Sequence, residues 1–233
     1  MTEFRPGSFQ MIPPVIKNLI IINVLVFLAQ MTLGSEIRQR MEELFALHDV
    51  RSAFFKPHQF ITYMFLHANL GHIFWNMFAL WMFGAVLENY WGGKRFLIFY
   101  VVCGIGAAAC NLAVMYPSIT HAVEQLRLEG YDPQEIMNSP ASPLNEATLG
   151  ASGAIFGCLA AFGYLFPNSE IYLYFLFPIK AKWFVLGYAA IELFSGVSNN
   201  AGDNVAHWAH LGGGLVGLIL VIYWNRTNRR NFY

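Results

Sequence analysis

Charge is what this chain most conspicuously lacks. Only 12% of its 233 residues are Asp, Glu, Lys or Arg, while 56% are hydrophobic and mean hydropathy is +0.44. A typical soluble domain carries about 25% charged residues. So few charges cannot cover a water-soluble body of this size, which excludes an ordinary soluble domain. Net charge is zero and no block of Lys and Arg occurs, so the electrostatic footprint of a nucleic-acid binder is missing. The three cysteines, Cys103, Cys110 and Cys158, lie inside apolar runs without CxxC spacing. Neither a disulfide framework nor a zinc site is expected from them. There is no HExxH, and no internal repeat of the kind that builds many transporters. The first apolar run has no small-residue cleavage site after it, so it reads as an anchor and not as a signal peptide.

Long apolar runs are what the chain does have. Crossing the hydrocarbon core takes roughly 20 apolar residues, and six segments qualify: about 15–33, 70–87, 95–115, 150–166, 183–196 and 205–224. The expected architecture is a single all-α membrane domain over residues 1–233, a six-transmembrane-helix bundle. With both termini inside, the inner segments hold Arg5, Lys17, Lys94, Arg95, Lys180, Lys182, Arg226, Arg229 and Arg230. The outer segments hold Arg38, Arg40, Arg51, Lys56 and Arg127. That bias places both termini in the cytoplasm. Two outer loops are long. Residues 34–66 place Ile37, Met41, Leu44 and Phe45 at helical spacing, an amphipathic segment lying in the interface. Residues 116–148 are polar and acidic and end in NSPASP, which reads as a mobile loop with at most a short helix near His121–Leu128.

Polar side chains inside spans are costly and mark function by default. They are His67, His72, Asn76, Glu88, Asn111, Ser152, Glu192, His207 and His210. Most lie toward the outer ends of their helices, so spans 2, 4 and 6 bring polar groups to a similar depth. Ser152 stands in the first turn of span 4 between Ala151 and Gly153, where small neighbours let a substrate backbone approach and free backbone N–H groups favour developing negative charge. A helix-capping serine, or a small-residue packing face, is the competing reading. Span 6 places Ala206, His210, Gly213 and Gly217 on one face. Such a face lets two backbones come close enough for a serine–imidazole hydrogen bond. His72 and Asn76, one turn apart on span 2, are donors suited either to an oxyanion or to holding helices together.

Four pieces in this order, HxxxxHxxxN (His67, His72, Asn76), GxxxE (Gly84 to Glu88), GASG (Gly150 to Gly153) and AHLGG (Ala209 to Gly213), resemble the rhomboid family of intramembrane serine proteases. The resemblance covers roughly residues 15–224. It implies Ser152 as nucleophile and His210 as general base, a dyad with no acidic third member. It further implies His72, Asn76 and the Ser152 N–H as oxyanion donors, Glu88 and His67 as structural groups, and residues 195–205 as a cap. Two departures stand out. His58 and Gln59 occupy the place of a Trp-Arg pair common in the first outer loop, which puts that loop's packing in question. Phe156 replaces a tyrosine that stacks on the histidine, and so lacks one hydroxyl.

On this reading the protein is a multi-pass membrane enzyme of a bacterial cytoplasmic membrane that cleaves transmembrane segments of membrane proteins near the outer surface. Such a segment must unwind first, because its peptide groups are paired within the helix. No metal, cofactor, nucleotide or nucleic acid is implied. Two rivals remain: a catalytically inactive relative that binds transmembrane clients, and a membrane metal site built from His67, His72, His207 and His210.

Overall fold

The computed structural model describes residues 9–173, 177–198 and 205–228. Helix α1 (Pro14–Thr32) begins at a Pro-Pro pair, where a missing N–H costs nothing, and its first turn has no cap of its own. The cap comes from elsewhere. Glu88, buried near the end of the second span, accepts the N–H of Val15 at 3.0 Å and of Ile16 at 2.8 Å. Gly84, one turn earlier, leaves room for the Ile16 side chain, since a Cβ there would meet Ile16 Cδ1 at 2.6 Å. The GxxxE spacing is thus a grip on the start of α1.

The first outer loop carries helix α2 (Ser35–Phe45), the amphipathic segment expected there, and a short helix α3 (Gln59–Thr62). The absent Trp-Arg pair does not leave this loop loose. Gln59 is fully buried and its Nε2 donates to the carbonyls of Phe54 (2.9 Å) and Glu43 (3.1 Å), while the His58 ring meets the Leu44 carbonyl at 2.8 Å.

The second span is one rod made of α4 (Leu70–Ala79), a π-helical turn (Leu80–Gly84) and α5 (Ala85–Trp91). Helix α6 (Gly93–Leu128) corrects the sequence reading: it does not stop at 115 but runs 36 residues, straight through Pro117. Proline forfeits one backbone bond, and local contacts hold the helix beyond it. The Arg51 guanidinium lies 4.0 Å over the Tyr116 ring and donates to Thr120. Burial alone would raise the Asp49 carboxyl, but the same Arg51 holds it below the usual carboxylate range. Val123 on the extension packs with Ile136 of α7 (Pro133–Asn138) and with Leu144, so the 116–148 segment is largely ordered around a small core of its own.

Helix α8 (Ser152–Leu165) is central and short, with nine of its 14 residues buried. A hairpin absent from the sequence reading follows, β1 (Glu170–Leu173) paired antiparallel with β2 (Phe177–Lys180), Glu170 opposite Lys180. Helices α9 (Ala181–Ser198) and α10 (His207–Asn228) follow. Of the implied cap, residues 195–198 form the last turn of α9, and 199–204 lie outside the described residues.

Among the described residues α1, the second span, α6 and α10 are long and apolar enough to cross a membrane, and α8 is a shorter apolar helix beside these four. Only 28% to 39% of their most apolar windows is buried in protein, so the remaining apolar surface must face lipid. Replacing Glu88 by Ala strands two buried N–H groups and should lower stability by about 2 kcal/mol or more, read as a lower thermal midpoint in mild detergent; Glu88→Gln should recover about half.

Candidate active site

The segment ahead of α8 is pinned from three directions. Leu47 and Thr148 exchange backbone bonds at 2.9 and 2.8 Å, Asn111 donates to Thr148 Oγ1, and the Gly150 N–H donates to the Tyr63 carbonyl at 2.9 Å. Gly150 then turns the chain at φ +125°, a conformation side chains rarely adopt, and a Cβ there would sit 2.8 Å from His72 Nε2 and 3.7 Å from Ser152 Oγ. The His72 imidazole and the Ser152 hydroxyl therefore flank the same bare glycine. Ser152 is the first residue of α8, with Ala151 in the cap position. Its hydroxyl is spent on a bond to another helix, which leaves the capping reading without support.

That helix is α10, which lies against α8 at glycine-to-glycine distance. A Cβ on Gly217 would meet Gly157 Cα at 2.6 Å, and one on Gly213 would collide with the Gly153 carbonyl. At this separation two short side chains can touch. His210, on the second half-turn of α10 and buried, places Nε2 2.8 Å from Ser152 Oγ. Phe156, one turn along α8, stacks flat on the His210 ring with centroids 4.3 Å apart and planes 6° off parallel. The missing hydroxyl noted above does not prevent stacking.

Asn76 is buried, and its Nδ2 has no hydrogen-bond partner among the described residues. An unpaired buried donor is uncommon; Gln30 Nε2, Tyr100 Oη, Asn23 Oδ1 and both ring nitrogens of His67 are the other buried side-chain atoms without a partner among the described residues. His67 is fully buried, its ring 5.0 Å from that of His72. Its backbone N–H donates to Gln30, consistent with a structural place.

The resemblance led to the expectation of no acidic partner for the histidine. Here the structure differs. Glu192 of α9, only 4% exposed, brings Oε2 to 2.9 Å from His210 Nδ1 and 2.7 Å from His207 Nδ1. Glu192 stands among the polar span residues in the sequence, but pairing it with His210 requires the packing of α9 on α10, which periodicity does not provide.

A serine hydrogen-bonded to an imidazole at a helix start, with a second imidazole beside the same glycine, is a hydrolase-like constellation. Residues 55–226 match the family model described as the rhomboid domain, and the chain belongs to the rhomboid family. It is 32% identical to Rhomboid protein 1, mitochondrial, of Saccharomyces cerevisiae over 70% of this chain and 40% of that protein. It is 26% identical to RHOMBOID-like protein 12, mitochondrial, of Arabidopsis thaliana over 94% of this chain and 60% of that protein. It is 31% identical to Rhomboid protease GluP of Bacillus subtilis over 48% of this chain and 17% of that protein. The chain thus spans less than two thirds of each relative's length. It is an integral multi-pass membrane protein. The expected bacterial cytoplasmic membrane gains no support from these relatives, two of which are named mitochondrial.

The glycine contact makes a sharp prediction. Gly213→Ala should cost about 1–3 kcal/mol through overpacking. Gly214→Ala, whose Cβ would find nothing nearer than the Phe156 carbonyl at 3.8 Å, should stay within about 0.5 kcal/mol of wild type. Thermal unfolding of the two variants side by side checks it.

Proposed function

We propose that this protein is an intramembrane serine endopeptidase that cuts transmembrane segments of other membrane proteins, with Ser152 as nucleophile and His210 as general base. The observation that carries this reading is the 2.8 Å contact between Ser152 Oγ and His210 Nε2 at the start of α8. Depth supports it. A helix of 14 residues is about 21 Å long against about 30 Å of hydrocarbon. It cannot reach both surfaces, which is compatible with a hydroxyl end set below the outer one and open to water from that side.

In the proposed reaction His210 Nε2 accepts the proton of the Ser152 hydroxyl as Oγ bonds to the substrate carbonyl carbon. The carbonyl oxygen becomes an oxyanion facing His72, Asn76 Nδ2 and the Ser152 N–H. Each such donor contributes a few kcal/mol to acyl-transfer barriers. The C–N bond then breaks, and His210 returns the proton to the departing amine. Water, activated by the same imidazole, hydrolyses the acyl-enzyme and regenerates the serine. A peptide bond within a regular helix has its N–H and C=O paired, so the substrate must unwind locally. Helix-weakening residues such as Gly or Pro near the cut favour this.

Placement in the bilayer follows from the same framework. The first turns of α4, α8 and α10 share the site end of the bundle, whereas α1 starts beside Glu88 at the other. The far end holds Lys94, Arg95, Lys180, Lys182 and Arg226. By the positive-inside rule we place that end, and both termini, on the cytoplasm-equivalent side, and the site toward the opposite surface. GluP, a relative named as a protease, is consistent with the activity.

Purified protein in liposomes with a model transmembrane substrate tests the assignment. Wild type should cleave, chelators should not inhibit, and Ser152→Ala or His210→Ala should reduce turnover on the order of 10⁴-fold or more. Equal inertness of wild type and Ser152→Ala across several substrates would replace the enzyme with a client-binding protein.

A further inference from the structure

Resting on the hydrolase reading above, we propose that Glu192 is a positioning residue of this enzyme: its carboxylate, clamped between His207 and His210, fixes the His210 imidazole in the tautomer and rotation that present a bare Nε2 to Ser152.

The argument starts from satisfaction of a buried charge. Glu192 sits in an apolar helix, 4% exposed, where a carboxylate persists only with donors around it. Two are present, and both aim at the same oxygen: His207 Nδ1 at 2.7 Å and His210 Nδ1 at 2.9 Å from Oε2. An ionised carboxylate only accepts hydrogen bonds, so both Nδ1 atoms carry the protons. The neutral His210 ring then has its lone pair on Nε2, facing the Ser152 hydroxyl 2.8 Å away. A base that must accept a proton there is in the required form before substrate arrives.

Phe156 alone does not secure this. Stacking at 4.3 Å holds the plane of the ring but leaves rotation within that plane free, and a phenyl ring has no hydroxyl to stop it. Glu192 supplies the in-plane restraint. Helix α9 contributes a second support one turn earlier: Tyr188 packs on Phe156 with centroids 4.9 Å apart. As His210 takes the serine proton, the imidazolium forms beside a negative charge, and Nδ1–H, Nε2–H and the carboxylate are all accounted for without a second transfer. His207 has a role in this scheme as the other arm of the clamp, not as an alternative base.

Glu192, His207 and His210 also form the group of three potential metal ligands among the described residues, with ligand atoms within 4.8 Å of one another. A bound cation would need the Nδ1 lone pairs, hence the opposite tautomer. The two readings therefore diverge in a measurable way.

The test uses full-length protein in liposomes, with transmembrane-substrate cleavage and the ¹⁵N spectrum of histidine-labelled protein, His210 being assigned by its loss in His210→Ala. We expect an Nδ1–H tautomer at His210 in wild type. Glu192→Gln and Glu192→Ala should lower kcat about 10–100-fold with KM little changed. The tautomer should become mixed in Glu192→Ala, and Glu192→Asp should recover part of the rate. His207→Ala should fall between wild type and Glu192→Ala. Wild-type kcat in Glu192→Gln and Glu192→Ala, or a rate loss in Glu192→Ala with the His210 tautomer unchanged, would overturn the proposal while leaving the hydrolase intact. Loss of activity on chelation, restored by zinc, would also overturn it in favour of a metal site. A wild type that never cleaves would instead sink the hydrolase reading, and with it the catalytic part of this one.

Discussion

The structure depends on how closely α8 and α10 approach. Two helices carrying ordinary side chains pack about 8–10 Å apart with those side chains filling the space between them, which would crowd the place where Ser152 and His210 meet. Gly153 and Gly157 on one helix and Gly213 and Gly217 on the other remove the intervening atoms. In lipid there is little hydrophobic drive between helices, so this backbone contact is itself a source of packing energy. The same glycines thus hold the bundle together and set the Ser152–His210 distance, and a change that loosens one loosens the other.

Around that contact the chain uses polar groups sparingly and ties nearly all of them down. Glu88 caps α1 from the far end, Gln59 closes the first outer loop, and Asn111 and Tyr63 hold the approach to Ser152. These bonds have little water to compete with them, and each satisfies a group that would otherwise be stranded. Among the described residues a few buried polar atoms stay unpaired, in Asn23, Gln30, His67, Asn76 and Tyr100, and of these Asn76 Nδ2 is the donor that the proposed reaction uses.

Much of this was legible in the sequence because membrane chains obey strong rules. Each of the six apolar runs holds a helix, four of them long and apolar enough to cross a membrane, and the order of GxxxE, GASG and AHLGG pointed to the helices that meet. The failures have physical causes. Hydropathy sees the end of the apolar stretch near 115 but not the end of the helix: α6 leaves the apolar zone and continues as an amphipathic rod packed on Ile136 and Leu144. The hairpin at 170–180 rests on backbone pairing with little periodicity to announce it. The role of Gln59 appears only when α2 and α3 are brought together. Glu192 was visible as an isolated acid in span 5, yet its meaning lies in a contact across 18 residues of sequence with His210, which no local pattern encodes.

The central claim is that Ser152 is a nucleophile because His210 makes it one. A fluorophosphonate probe reads this directly, without need of a substrate. The account predicts covalent labelling of wild-type protein at Ser152, abolished in Ser152→Ala and reduced at least a hundredfold in His210→Ala while both variants remain folded. Labelling of His210→Ala at the wild-type rate, or of a residue other than Ser152, would contradict it.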